Sequence, residues 1–178
     1  MRQLVLVSGS PGAGKSTLAR PLAASLDLPL LSKDAIKETL FDVLGHVADD
    51  DLVSSRRLGG AAMELLWRLA RVCPAVVLEA NFRSQSTDER QRVLALSSRP
   101  IEVHCRVPPG VAAARYATRG ATHLHHPVHV ARTISAHLLA EFRHPFGLGP
   151  VIEVDTSGHV DTEAVAVAVQ AALSGHSM

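Results

Sequence analysis

The sequence predicts an α/β fold: one parallel sheet of five strands with helices packed on both faces. Three observations predict it. Apolar runs of strand length alternate with longer stretches of helical period. The apolar share of 47% comes mostly from Ala, Val and Leu, with aromatics at 3%, which suits aliphatic strands buried between helices. Turn residues punctuate the joints, as in Asp27-Leu28-Pro29, Pro108-Pro109 and Thr156-Ser157-Gly158.

Each element has its own justification. The runs 3–8 (QLVLVS), 75–80 (AVVLEA), 101–107 (IEVHCRV) and 151–155 (VIEVD) read as buried strands, and 29–32 (PLLS) as a short fifth. Helical patterns fill 15–26, 33–44, 54–72, 87–97, 109–119, 128–142 and 161–173. Strands separated by helices of this length pair in parallel through right-handed crossovers. No internal repeat or long linker divides the 178 residues, so a single domain over 1–178 is expected.

Composition excludes several functions. With 18 basic and 17 acidic residues, net +1, the chain lacks the broad positive field that tracks a nucleic-acid polymer or an anionic membrane. No run approaches the ~18 apolar residues of a spanning helix, and no secretory leader is evident. A cytoplasmic protein is expected. Cys73 and Cys105 have no CxxC partner and read as buried, reduced thiols.

The decisive stretch is LVLVSGSPGAGKSTLA, residues 4–19. Gly9, Ser10, Pro11, Gly12, Ala13, Gly14, Lys15 and Ser16 fit G-x-x-x-x-G-K-[ST], between a buried strand and a helix. Glycines at positive φ turn successive N–H groups inward as an anion nest, and the helix start adds its positive end. Lys15 supplies a cation for β- and γ-phosphates, the Ser16 hydroxyl suits Mg²⁺, and Thr17 is a second hydroxyl nearby. The loop binds a nucleoside triphosphate, with ATP or GTP as donor.

Phosphoryl transfer further needs an acceptor, a group orienting it, and cations over the transferring oxygens. In LLSKDAIKETL (30–40), Asp34 falls at a strand's carboxyl end, where it can take a hydroxyl proton or merely start a helix. VVLEANF (76–82) places Glu79 and Asn81 at a second strand end, to hold the magnesium water shell or orient a substrate. Arg115 and Arg119, four apart on one helical face, suit a lid over about 115–130 that neutralises charge and excludes water. His123, His125, His126 and His129 invite a metal reading, but Pro127 interrupts the helical spacing and no carboxylate or Cys lies within the cluster.

In this order, Gly9–Thr17, LLSKDAIKE, VVLEANF, HCRVPPGVAAARYATRG with HPVH, and VIEVDTSG resemble small P-loop kinases. The group contains chloramphenicol phosphotransferase, the bacteriophage polynucleotide kinase domain and the zeta toxins, together with small bacterial kinases labelled AAA-family ATPases. The resemblance covers nearly the whole chain and implies a three-layer α/β/α kinase fold with strand order 2-3-1-4-5. It implies that Asp34 is the base or orienter of the acceptor hydroxyl and that Lys37 touches substrate. It further implies that Arg115 and Arg119 contact ATP phosphates, and that Asp155–Gly158, Thr156 included, borders adenine. Glu79 departs from the aspartate common in P-loop proteins at the end of the third strand.

The reading is therefore an Mg²⁺- and ATP-dependent kinase acting on a hydroxyl of a small molecule or nucleotide, the acceptor lined by helices 33–44 and 54–72. A nucleotide switch working through a protein partner is the second reading, and a nucleic-acid 5′-end kinase the third. The near-neutral charge and the few aromatics argue against long nucleic acid.

Overall fold

The computed structural model describes residues 2–44, 52–121, 126–131 and 133–175. In chain order the elements are β1 (Gln3–Ser8), α1 (Lys15–Ser25), β2 (Leu30–Ser32), α2 (Lys33–Leu44), α3 (Leu52–Ala70) and β3 (Ala75–Glu79). They continue with α4 (Thr87–Leu96), β4 (Ile101–Arg106), α5 (Pro109–Gly120), α6 (Ala136–Ala140), β5 (Val151–Asp155) and α7 (Thr162–Ser174). The five strands form one parallel sheet in the order β2-β3-β1-β4-β5.

Alternation along each strand builds two cores. Val5 and Val7 of β1 join Val77, Ile101 and Val103 beneath Leu18 and Leu22 of α1 and Val165 and Val169 of α7. Leu4 and Leu6 face the opposite side, with Val76 and Leu78 against Leu66 and Trp67 of α3 and Val93 and Leu96 of α4. The result is the expected three-layer α/β/α P-loop kinase fold. Because β1 is central and β3 its neighbour, the carboxyl ends of β1, β3 and β2 meet at one edge. Val7 is in register with Glu79, and Glu79 with Ser32.

One expected helix is largely absent. Among the described residues of 128–142, only Ala136–Ala140 is helical, started by Ser135, whose side chain accepts the Leu138 N–H. Val128, Val130, Thr133 and Ile134 restrict χ1 and disfavour helix, while contacts to α2 and α3 hold residues 126–131 in a non-helical path. The other expected helices end within two residues of their expected limits. Cys105 is buried and Cys73 partly so, both free, and burial pushes the Cys105 thiol up to about 12, an unreactive state. Among the described residues, no helix is long and apolar enough to cross a membrane.

Beside the centre of the sheet lies a buried polar triad that the sequence reading did not single out. Ser8 Oγ donates to Glu102 Oε1 at 2.6 Å and stands 2.8 Å from His104 Nδ1. His104 Nε2 lies 3.0 Å from the Arg143 carbonyl, and Gly147 N–H donates to Glu102 Oε2 at 3.2 Å. A carbonyl only accepts, so Nε2 carries a proton. Burial holds the imidazole below its ordinary range against the contrary pull of the Arg143 carbonyl and Glu102. These bonds tie the chain after α6 to the residue directly before the glycine-rich loop. Ser8→Ala removes one of the two donors to the buried Glu102 carboxylate and should cost about 1–3 kcal/mol. Urea denaturation would measure it, and a loss within error of zero would show that the triad contributes nothing to stability.

Candidate active site at the carboxyl edge of the sheet

The loop between β1 and α1 has the geometry its sequence requires. Gly9, Gly12 and Gly14 have φ of 136°, 81° and 79°. At Gly12 an added Cβ would come within 2.3 Å of the Ala112 carbonyl on α5, so glycine is needed there for space as well as for dihedral. Gly14 precedes the first turn of α1 in the left-handed conformation, and the loop presents backbone N–H groups beside the positive end of that helix. Lys15 is buried and curls back to donate to the Ser10 carbonyl at 2.9 Å. Burial lowers its affinity for a proton, while Glu79 and Asp34 favour the charged form.

Glu79 connects this loop to the acceptor side. It is 2% exposed and accepts from Ser16 Oγ on Oε1 at 3.2 Å and from Ser32 Oγ on Oε2 at 2.5 Å. Ser32 in turn accepts the Ala35 N–H at 3.4 Å, which caps the start of α2. Asp34 stands in the first turn of α2, bonded to Lys33 Nζ at 3.0 Å. Burial works to raise its proton affinity, but Lys33, His129 and Lys15 together hold it below the usual carboxylate range.

A cavity of about 580 Å³ joins these groups. Pro11, Gly12, Gly14, Lys15, Ser16 and Thr17 line one side, and Asp34, Lys37, Glu79, Asn81 and Arg119 the rest. Asn81 Oδ1 is buried with no hydrogen-bond partner among the described residues. Gly9, Ser10, Ala13, Arg115 and Thr156 do not line this cavity. Arg115 Nη1 and Nη2 donate to the carbonyls of Thr156 and Ser157 at 2.8 and 2.7 Å, which ties α5 to the loop after β5. The Thr156 hydroxyl is buried and donates to the Ala13 carbonyl at 2.7 Å and the Arg106 carbonyl at 3.0 Å. It braces the glycine-rich loop from below. Gly9, Ser10 and Ala13 complete that loop, the latter two through their carbonyls.

Of the four histidines, the structure describes His126 and His129, and each meets a carboxylate. His126 Nε2 pairs with Asp42 at 3.1 Å and His129 Nε2 with Glu38 at 3.0 Å, each on α2. His123 and His125 lie outside the described residues. Among the described residues no group of three or more His, Cys, Asp and Glu could hold a metal ion. For Mg²⁺ the relevant donors are the Ser16 hydroxyl and the Glu79 carboxylate bonded to it, all oxygen. Such a sparse set fits an ion that takes its remaining ligands from phosphate and water.

Sequence reasoning missed Ser32 and Ser55, short hydroxyls at a strand end and in an aliphatic helix. Lys37, 6% exposed, donates to Ser55 Oγ at 2.8 Å and to the Val128 carbonyl at 3.2 Å. Burial, helped by Lys33, lowers the Lys37 ammonium from 10.5 to about 8. A folded pKa below the unfolded one means that the fold disfavours the charged form, so this residue's contribution to stability rises with pH from about 8 to 10.5. Nitrogen-detected NMR of the Lys37 ammonium should find a midpoint near 8. Titration at the ordinary lysine value would show that the side chain is not buried as described.

Comparison with known proteins follows the same lines. Residues 4–145 match the AAA domain family. A crystal structure of a candidate kinase from Chloroflexus aurantiacus is 34% identical, covers 96% of this chain and 98% of its own, and superposes with a TM-score of 0.81. Shikimate kinase from Acinetobacter baumannii, in complex with shikimate, is 19% identical over 100% and 97% of the two chains, with a TM-score of 0.57. Kti12 from Chaetomium thermophilum, in complex with ADP-AlF3, is 16% identical over 95% and 98%, with a TM-score of 0.63. No protein of curated function matches the sequence. The likeness to shikimate kinase and Kti12 is one of fold, whereas the first two matches establish kinship: the chain belongs to the AAA domain family and has a P-loop kinase-like, nucleotide-binding fold.

Proposed function

We propose that the protein is an ATP- and Mg²⁺-dependent kinase that transfers the γ-phosphoryl group to a hydroxyl of a small molecule or nucleotide. The observation that carries this reading is that Asp34 and Lys15 line one cavity, a proton-accepting carboxylate across from the phosphate-binding lysine. The narrower likeness to chloramphenicol phosphotransferase, polynucleotide kinase and the zeta toxins belongs to this proposal, as do the ATP preference and the alcohol acceptor.

In this mechanism Gly9–Thr17 cradles the phosphates through its N–H groups. Lys15 releases the Ser10 carbonyl and compensates the β- and γ-phosphates, and Arg119 faces the transferring oxygens. The Ser16 hydroxyl would hold Mg²⁺, with Glu79 orienting that hydroxyl; the ion would supply charge neutralisation to the transferring group. Arg115 fixes α5 against the loop after β5, where its guanidinium plane is available to a base. Asn81 Oδ1 accepts from a donor group of the substrate.

Asp34 receives the acceptor's proton as the new O–P bond forms and the bond from the γ-phosphorus to the ADP oxygen breaks. A carboxylate held this acidic is a weak base. That suits a loose transition state, in which the nucleophile needs orientation more than early deprotonation.

A screen of labelled ATP against hydroxy acids, sugars, nucleosides and oligonucleotide ends tests the activity and names the acceptor. With the acceptor known, Asp34→Asn should bind ATP and Mg²⁺ nearly as wild type while transfer falls by roughly 10²–10⁴. Unchanged transfer would reduce Asp34 to a helix-start residue and sink the mechanism. A switch instead requires turnover that ignores Asp34 and responds to a partner protein.

A further inference from the structure

Residues 126–131 cross α2 and α3 as a strap that begins in a turn, the His129 N–H donating to the His126 carbonyl at 3.0 Å. The Val128 side chain is 1% exposed. Its carbonyl accepts from both Lys37 Nζ and Ser55 Oγ, at 3.2 and 2.7 Å. Asp34, Glu38 and Asp42 are spaced four apart along α2 and so share one face. The first of these lines the phosphate cavity, and the other two hold His129 and His126 of the strap. Tyr116 Oη donates to the Ala131 carbonyl at 3.1 Å.

The hydrogen bonds of Lys37 are to a hydroxyl and a carbonyl, both neutral. Burying an ammonium without a bonded carboxylate is unfavourable; Asp34 and Glu38 favour the charge from nearby, and its hydrogen bonds go to the strap carbonyl and to Ser55. On its inner side the strap presents His129, Val130 and Ala131 to the cavity that contains Lys15, Asp34 and Asn81. A cavity of about 580 Å³ is in the range of small-ligand sites. A nucleic-acid end would instead need free aromatic platforms along its path. Trp67, Phe82, Phe142 and Phe146 are buried, Tyr116 is bonded to the strap, and the partly buried Phe41 packs edge-on against His126.

We infer that the 126–131 strap is the outer wall of the acceptor chamber, pinned by Lys37 and Ser55 as positioning residues, and that it restricts the acceptor to a free small hydroxylated molecule. The claim about the acceptor rests on the kinase reading; the claim about docking does not.

The full-length chain tests both. In Lys37→Met/Ser55→Ala, amide exchange at Val128 and His129 should quicken by ~10-fold or more while exchange in α1 stays as in wild type, since only the strap's local opening changes. With ATP and Mg²⁺ alone, hydrolysis by water should rise several-fold in the variant as the chamber opens. The wild type should not label a 5′-hydroxyl oligonucleotide. Unchanged exchange in the double variant would overturn the docking role, and a labelled oligonucleotide would overturn the size restriction. If the double variant does not fold, Ser55→Ala alone should show the same acceleration in smaller measure, and none would count against the inference. Failure of the wild type to bind a fluorescent ATP analogue would overturn the kinase reading and the acceptor claim with it, while exchange still decides the docking.

Discussion

The carboxylate of Glu79 is the constraint on which the rest of the site depends. It ends β3 between two neighbouring strands, and at 2% exposure it persists as a buried acid only because donors reach it. Those donors are Ser16, in the first turn of α1, and Ser32, the last residue of β2. One side chain thus sets the distance between the phosphate-binding loop and the helix that carries Asp34. The capping bond from Ser32 to the Ala35 N–H extends the same link into α2. The parallel order with β3 between β1 and β2 is what makes this bridge feasible.

Around that bridge the charges are arranged in pairs. Lys15 lies near Glu79 and Asp34, Asp34 is bonded to Lys33, and Glu38 and Asp42 are engaged by histidines. Mutual compensation of this kind keeps a polar cavity folded without ligand and lets its members change partners when phosphates arrive. Support comes from outside the cavity: Thr156 and Arg115 brace the loop and α5, and the Ser8–Glu102–His104 triad anchors the strand that feeds the loop. Gly12 against Ala112 completes the fit, leaving no room for a side chain.

Much of this was legible in the sequence because it is local. The glycine-rich motif, the aliphatic strand runs and the helical spacings each depend on near neighbours, and they carried the strand order with help from the family likeness. The failures are tertiary. Residues 128–142 have helical spacing, yet the Val128 carbonyl is drawn to Lys37 and Ser55 on two other helices, and β-branched residues weaken the alternative. For Thr156, in the stretch implied to border adenine, sequence does not tell which way the hydroxyl turns; in the fold it donates to the Ala13 carbonyl. The triad was invisible for the same reason, as Ser8 and Glu102 are 94 residues apart and meet only across the sheet.

The bridge can be tested directly through the magnesium dependence of ATP turnover in Glu79→Gln. Glutamine keeps the size of the side chain but removes the charge and one acceptor, so Ser16 loses its orientation toward the ion. The account predicts an apparent Mg²⁺ affinity weaker by ~10–100-fold, the usual effect of disturbing a group that orients a metal ligand, with a smaller change in the rate at saturating Mg²⁺. The same magnesium dependence in variant and wild type would contradict it, leaving Glu79 as a tie between strands with no part in the phosphate site.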